Sequence, residues 1–264
     1  YFVMELVEGV AITEFCDQQE MGIAERLDLM AAVCKAVEHA HQRGVIHRDL
    51  KPANILVELQ DGRPTPKVID FGIAKAPNQR LSAQSIHTAF TQVVGTPYYM
   101  SPEQARPNGA DVDARSDVYS LGVVLYELLT GTKPLDETSL AASGLNDYRE
   151  LICCRDPPRP SQRLKTLTDE TSATVARCRQ ARPDRLPESL RGELDWIVLK
   201  ALEKDPARRY QSAQELADDL TRYRADLPVL ACPPTAGYRM TKVVRRYRTL
   251  MATNVVVAAA LRVG

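Results

Sequence analysis

Apolar and polar positions divide the chain into a first part of short strands and a second part of helices. Apolar side chains recur at spacings of three and four over 25–43, which predicts an amphipathic helix that Gly44 ends. The opening residues 1–7 are mostly apolar and predict a buried strand. Further short apolar runs predict strands at 45–46, 55–57 and 67–69, with a turn at 61–64.

The second part of the chain carries stronger helical signals. Residues 116–130 form a nearly continuous apolar segment, too short to span a bilayer, which predicts a buried core helix. Apolar positions predict another helix over 193–204, and Ser212 with Glu215 predicts a capping box ahead of a third. Residues 75–95 are polar and predict a long loop, and 136–190 show only weak helical periodicity. Little strand followed by much helix indicates an α+β or mainly helical fold.

Composition narrows the classes of function. The 264 residues contain 34 Lys+Arg and 34 Asp+Glu, so no overall charge favours nucleic acid as a partner. Six cysteines include no C-x-x-C pair, and no histidine lies at metal-ligand spacing, which predicts free thiols in a reducing compartment.

Three motifs follow one another between the predicted elements. H-R-D-L-K-P-A-N occupies 47–54, D-F-G occupies 70–72 after a strand, and S-P-E at 101–103 closes the polar loop. One such motif alone is a weak signal, whereas three in this order and context are specific. With these motifs the chain resembles the protein kinase family over nearly all of 1–225. The resemblance implies a kinase-like fold: a hinge and a mainly helical C-terminal lobe, without most of the N-terminal lobe.

Phosphoryl transfer explains the residue types in the first two motifs. Such a reaction needs an oriented hydroxyl and neutralisation of charge on the γ-phosphate of ATP. By the resemblance, Asp49 orients or accepts the hydroxyl proton and Lys51 places a cation at the phosphate. Asn54 and Asp70 offer the hard oxygen ligands that suit Mg²⁺ bound with nucleotide phosphates.

Other motif residues are expected to support these groups. His47 and Arg48 belong to the catalytic loop, while Phe71 would pack in the core and Gly72 would give the backbone freedom beside Asp70. Asp117 should bond the backbone of the catalytic loop from the core helix.

The end of the polar loop bears on the substrate. Lys51 and residues 95–103 resemble kinases that act on Ser or Thr, in which the Thr96 hydroxyl would bond Asp49 and Lys51. Glu103 should form a buried ion pair with Arg209. The expected partners are therefore ATP and proteins with Ser or Thr, and the alternative for the charged support residues is a solvated surface.

The opening strand resembles the hinge that binds adenine. In that reading Met4 is the gatekeeper, the backbone of Glu5 and Val7 bonds adenine, and Leu56 lies beneath the ring. The alternative is a plain buried strand.

The 264 residues contain no Gly-x-Gly-x-x-Gly loop and no Val-Ala-Ile-Lys strand, which the family places before the hinge. One hypothesis is an N-terminally truncated kinase, inactive as this piece. The other is a catalytically dead, pseudokinase-like interaction module. The intact Asp49, Asn54 and Asp70 favour the first.

The polar loop also suggests regulation. In kinases of this type the arginine before the catalytic aspartate meets a phosphate on the activation loop. Arg48 would therefore bind a phosphorylated loop residue, with Thr88 and Thr91 the preferred sites. The alternative is that these threonines only keep the loop soluble.

The C-terminal residues are assigned outside the kinase domain of 1–225. Residues 226–249 include five positive charges in ten residues and are expected to be a basic juxtamembrane linker. The apolar residues of 250–264 would begin a single-pass transmembrane helix that anchors a cytoplasmic kinase domain to the inner membrane. This tail resembles bacterial, especially planctomycete, membrane-linked kinases; the alternative is a solvated basic tail.

Overall fold

A computed structural model describes residues 6–71, 97–106, 112–135 and 145–232. The strands are β1 (Val10–Ala11), β2 (Ile55–Gln60) and β3 (Arg63–Val68), antiparallel in the order β1-β2-β3. The helices are α1 (Ile12–Gln18), α2 (Ile23–His41), α3 (Pro102–Ala105), α4 (Ala114–Thr130), α5 (Leu145–Cys154), α6 (Pro160–Leu164), α7 (Asp169–Arg177), α8 (Leu186–Leu190), α9 (Glu193–Ala201) and α10 (Ala213–Arg224). Single 3-10 turns lie at Pro52–Asn54, Pro97–Tyr99 and Pro206–Arg208. A small sheet with a helical body confirms the α+β prediction.

The β2–β3 hairpin sets the position of two of the motifs. Asp61 and Gly62 have φ angles of 49° and 75°, the left-handed conformation that a two-residue hairpin turn requires. This turn fixes the register, with Ile55 opposite Val68. The pairing extends past the strands, since Ile69 N donates to the Asn54 carbonyl at 3.0 Å. The hairpin thereby brings the end of the first motif beside the start of the second.

Helix α4 forms the centre of the core. Asp113 caps its N-terminus by accepting from Arg115 N at 2.8 Å, and Gly131, with φ of 71°, ends it. The helix is buried along almost its whole length, which explains its continuous apolar sequence. Gly122 allows a close approach of α9, because a Cβ at this position would lie 2.8 Å from Ala201 Cβ.

The longer predicted helices are present. The helix predicted over 25–43 is α2, the core helix is α4, and the helix predicted over 193–204 is α9, which ends at Ala201. Ser212 caps α10 by accepting from Glu215 N at 3.2 Å. The Glu215 carboxylate accepts from Gln211 N at 2.8 Å, so the reciprocal contact is made one residue before the cap.

Two predicted strands are wrong in the described residues. Val45 and Ile46 form no strand, because Val45 N donates to the Ala40 carbonyl and Gly44 N to the His41 carbonyl, a Schellman motif that closes α2. Leu6 and Val7 also lie outside any strand, since pairing with β2 begins only at Val10. Leu6 is 82% exposed.

Residues 145–190 contain helices that the sequence pattern did not reveal. Helices α5 to α8 are five to ten residues long, and α6 and α8 have proline in their first turn. Helices of this length have fewer than about three turns, which leaves little periodicity to detect.

A segment after α10 folds back onto the body. Asp219, buried in α10, accepts from Leu230 N at 2.7 Å and Ala231 N at 2.9 Å. Val229 and Cys232 are buried on either side of these contacts. None of the helices in the described residues is long and apolar enough to cross a membrane, and the predicted span at 250–264 lies outside them.

Candidate active site

Asp117 in α4 holds the backbone of the loop at 47–54. Its carboxylate accepts from His47 N and from Arg48 N, each at 2.8 Å. His41 at the end of α2 bonds the same carboxylate through Nε2 at 2.8 Å. The contact predicted between the core helix and this loop is present, and it anchors the loop to the most buried element of the fold.

His47 connects this loop with the segment after β3. Its Nε2 donates to the Ile69 carbonyl at 2.8 Å, and Nδ1 accepts from Asp49 N at 3.3 Å. These two contacts are compatible with a neutral imidazole that carries its proton on Nε2. The ring also lies 4.8 Å from that of Phe71, centroid to centroid. One buried histidine therefore positions both Asp49 and the start of the D-F-G motif.

Asp49, Lys51 and Asn54 converge at the surface. Lys51 Nζ lies 2.9 Å from Asp49 Oδ2. Asn54 Nδ2 donates to the Asp49 carbonyl at 2.8 Å and to Oδ2 at 3.3 Å. The Asp49 side chain is 47% exposed, so the carboxylate is oriented by its neighbours and still open to an incoming hydroxyl.

Asn54 and Asp70 both carry oxygen atoms that are open to a cation. The Asn54 amide nitrogen is engaged with Asp49, and no donor within the described ranges reaches Oδ1, which can therefore face a cation. Asp70 follows Ile69, which pairs with Asn54, and its exposed carboxylate is likewise without a described donor. Its φ of 56° is unusual for a residue with a side chain, and such conformations cluster at functional sites. An amide oxygen and a carboxylate are hard oxygen ligands, the kind that suits Mg²⁺ bound together with nucleotide phosphates.

The predicted ion pair between Glu103 and Arg209 is present and buried. Arg209 Nη1 lies 2.6 Å from Glu103 Oε1, and Nη2 lies 2.8 Å from Oε2. Burial alone would raise the pKa of Glu103, but hydrogen bonds from Arg209 and Ser116 hold that pKa below its usual range. The guanidinium also donates to the backbone carbonyls of Arg115, Glu203 and Lys204.

Sequence reasoning missed three supporting residues: His41, Gln104 and Ser116. Gln104 Nε2 donates to the Arg48 carbonyl at 2.8 Å, which ties α3 to the catalytic loop. The sequence does contain a sign of a structural role for Gln104, because Ser101 and Gln104 form a Ser-x-x-Gln capping box. His41 had no such signal, since its partner Asp117 lies 76 residues away in sequence.

Several predicted site residues lie outside the described residues, while the described residues predicted to bind adenine lie in or before the small sheet. Val7 and Leu56 are half-buried, and Leu56 pairs with Ala11 in the sheet. The predicted residues outside the described ranges are Met4, Glu5, Gly72, Thr88, Thr91 and Thr96.

The chain belongs to the protein kinase domain family, whose model matches residues 1–220. Its curated relatives include serine/threonine-protein kinase PknB of Mycobacterium tuberculosis (strain H37Rv), 41% identical over 223 residues, or 84% of this chain. PknB of Mycolicibacterium smegmatis is 42% identical over 224 residues. The chain spans about 30% of the length of both proteins.

Solved structures show the same fold. A double mutant of the Mycobacterium tuberculosis PknI kinase domain superposes with a TM-score of 0.53 at 27% identity, over 84% of this chain and 65% of that chain. The Rad53 kinase domain, at 21% identity and a TM-score of 0.50, shows the fold alone. The predicted protein kinase fold is therefore confirmed.

Proposed function

We propose that this chain carries the catalytic residues of a serine/threonine protein kinase, which transfers the γ-phosphate of ATP to Ser or Thr hydroxyls of proteins. The observation that supports this most is the exposed Asp49 carboxylate, held between Lys51 and Asn54. The names of its PknB relatives, which are 39–42% identical, agree with this substrate class.

The residues divide the reaction between them. Asp49 accepts the proton of the substrate hydroxyl, and the Lys51 ammonium turns from Asp49 toward the transferring phosphate. Asn54 Oδ1 and the Asp70 carboxylate would hold Mg²⁺, which neutralises charge on the phosphates when bound. Thr96 would bond Asp49 and Lys51 and so set the geometry for a hydroxyl substrate.

Nucleotide binding would use the segment before β1. Met4 would be the gatekeeper, the backbone of Glu5 and Val7 would bond adenine, and Leu56 would lie beneath the ring. The half-buried position of Leu56 in β2 is compatible with that contact.

The second candidate is a catalytically dead interaction module. It depends on one observation, that the 264 residues hold neither a Gly-rich loop nor a Val-Ala-Ile-Lys strand. The two candidates differ in what Asp49, Asn54 and Asp70 do, since a binding module has no need for an oriented carboxylate beside a cation site. We expect the 264-residue chain alone to transfer little phosphate under either proposal.

Regulation by phosphate on the loop forms part of the proposal. Arg48 would bind a phosphate on Thr88 or Thr91, which would order the segment that leads to Glu103. The Arg48 carbonyl accepts a hydrogen bond from Gln104 Nε2, which joins the catalytic loop to α3 at this residue.

Residues 226–264 extend the proposal to where the protein lies in the cell. Residues 1–225 would be a kinase domain in the cytoplasm of a bacterium of planctomycete-like type. The basic residues of 226–249 would face anionic lipid, and 250–264 would begin an anchor in the inner membrane.

The test compares the 264-residue chain with the complete product of its gene. Each is incubated with Mg-ATP labelled on the γ-phosphate and a generic protein substrate, followed by phosphoamino-acid analysis. The proposal expects labelled Ser or Thr with the complete product, which a catalytically dead module would not give.

A further inference from the structure

The six cysteines fall into two groups by burial. Four are buried singly, and burial raises the pKa of Cys16 to about 11 and also raises the pKa of Cys34 and Cys232. The other two, Cys153 and Cys154, are adjacent in sequence at the end of α5. Cys153 is half-buried and Cys154 is exposed. The accessible thiols of the chain are therefore concentrated in one pair.

Cys153 contacts the segment that carries Glu103. Its Sγ donates to the Pro102 carbonyl at 3.6 Å. It packs against a small apolar cluster formed by Tyr98, Ala105, Leu135 and Ile152. A change at this thiol therefore acts directly on residues 98–105.

A lysine supplies positive charge beside the pair. Lys204 Nζ donates to the Ile152 carbonyl at 2.8 Å, in the last turn of α5. Burial lowers the pKa of Lys204 to about 8, and the charges that act on it include Asp156, Cys153, Arg209 and Cys154. The ammonium lies at the C-terminus of α5, where it offsets the partial negative charge of the helix end.

The helix geometry makes a disulfide within the pair strained. Adjacent Cα atoms lie about 3.8 Å apart across a trans peptide bond, whereas disulfides span about 4.4–6.8 Å, so the bond is strained. Side chains of adjacent residues on a helix also do not face each other, so the last turn must unwind before the two sulfur atoms can bond. It is held by Arg155 N, which donates to the Leu151 carbonyl at 3.1 Å, and by Lys204. Strained disulfides form reversibly and are easily reduced.

We propose that Cys153 and Cys154 form a vicinal dithiol site that reacts reversibly with low-molecular-weight disulfides such as oxidised glutathione. The Cys154 thiolate attacks one sulfur of the small disulfide, forms a mixed disulfide and releases one thiolate. Cys153 then attacks the Cys154 sulfur and releases the second thiolate. The two protein thiols lose their protons and two electrons, and the small disulfide becomes two thiols.

Oxidation removes the contact between Cys153 and Pro102, so α5 loosens from α3. The unwound turn also separates the Ile152 carbonyl from Lys204. Because Gln104 in α3 bonds the Arg48 carbonyl, this change reaches the catalytic loop. The thiol reaction itself does not depend on kinase activity, so its test stands apart from that of the proposed function.

Peptide mass mapping of the folded 264-residue protein after incubation with oxidised glutathione tests the reaction. We expect the peptide with both cysteines to lose two hydrogen atoms and regain them with dithiothreitol. Cys154→Ser should form no internal disulfide and should gain glutathione on Cys153 at least about tenfold more slowly than the wild-type pair reacts. Cys153→Ser should stop at a glutathione adduct on Cys154. In denaturant all six cysteines should react, which controls for burial.

Three results would overturn the proposal. One is a wild-type product that stays at the glutathione adduct, and another is equal reaction of Cys16 or Cys34 in the folded protein. The third is an unchanged rate of hydrogen exchange over 98–105 in the oxidised wild-type protein. That rate should rise on oxidation, and it should stay unchanged in Cys154→Ser that is treated with oxidised glutathione for the same time.

Discussion

At the scale of single residues, one carboxylate determines where the catalytic loop runs. Asp117 receives two backbone amides of the loop and the imidazole of His41 while buried in the core helix. The sequence made Asp117 conspicuous, because a charged residue in an apolar helix needs partners. It did not reveal His41, since no local pattern joins residues that meet only through the tertiary fold.

Arg209 offers the clearest test of a buried charge. We expect Arg209→Met to lower the free energy of unfolding by about 3–5 kcal/mol, because Glu103 would remain buried without its partner. Urea denaturation gives the measurement. The matched control is Arg208→Met, whose side chain is 71% exposed, and a similar loss in both variants would contradict the account.

Glu103 should make the stability of the folded protein depend on pH. Its pKa is lowered in the folded protein, so its contribution is complete above the unfolded pKa of about 4.3 and is lost as pH falls through the folded value. Glu103→Gln should therefore cost much at neutral pH and less at about pH 3. Urea denaturation of both proteins at the two pH values checks this, and a constant difference would show that the charge is unimportant.

At the scale of elements, length decided what could be predicted. Helices α2 and α4 have 19 and 17 residues, enough turns for the apolar pattern to show. Helices α6 and α8 have five residues each and were missed. The strand predicted at 45–46 failed because two apolar residues after a helix suit a Schellman motif as well as a strand. Local sequence does not distinguish these cases.

The contact between α4 and α9 predicts a change in stability opposite to the one expected from helix propensity. Gly→Ala inside a helix usually stabilises by roughly 0.5–1 kcal/mol. We expect Gly122→Ala to destabilise by about 1–3 kcal/mol, because its Cβ would lie 2.8 Å from Ala201 Cβ. Thermal denaturation measures the effect. Adding Ala201→Gly should recover part of the loss, and a stabilised single variant would contradict this packing.

At the scale of the whole molecule, the described body extends past the last helix. The segment 227–232 packs back through Val229, Cys232 and the amides that Asp219 accepts. The sequence predicts a boundary at 225, where the resemblance to the protein kinase family ends. An acidic residue on an amphipathic helix gives no sign that it will bind backbone beyond the end of that helix.

Truncated chains test whether the folded body ends near 225 or continues to 232. A chain that ends at Cys232 should retain the folded stability of residues 1–264, while one that ends at Asp226 should lose about 2–4 kcal/mol, because Asp219 loses two donors and apolar burial is lost. Chemical denaturation of the three lengths decides it. Equal stability of the two shorter chains would show that the returning segment contributes nothing.

The central claim is that Asp49 is the group that accepts the substrate proton, and Asp49→Asn tests it most directly. In the complete gene product, this variant should bind Mg-ATP nearly as well as wild type but transfer phosphate about 10²–10⁴-fold more slowly. Asp70→Asn should weaken both binding and transfer, because it removes a metal ligand. Asp61→Asn, the same change at the exposed hairpin turn, should alter neither. Full turnover in Asp49→Asn would contradict the account.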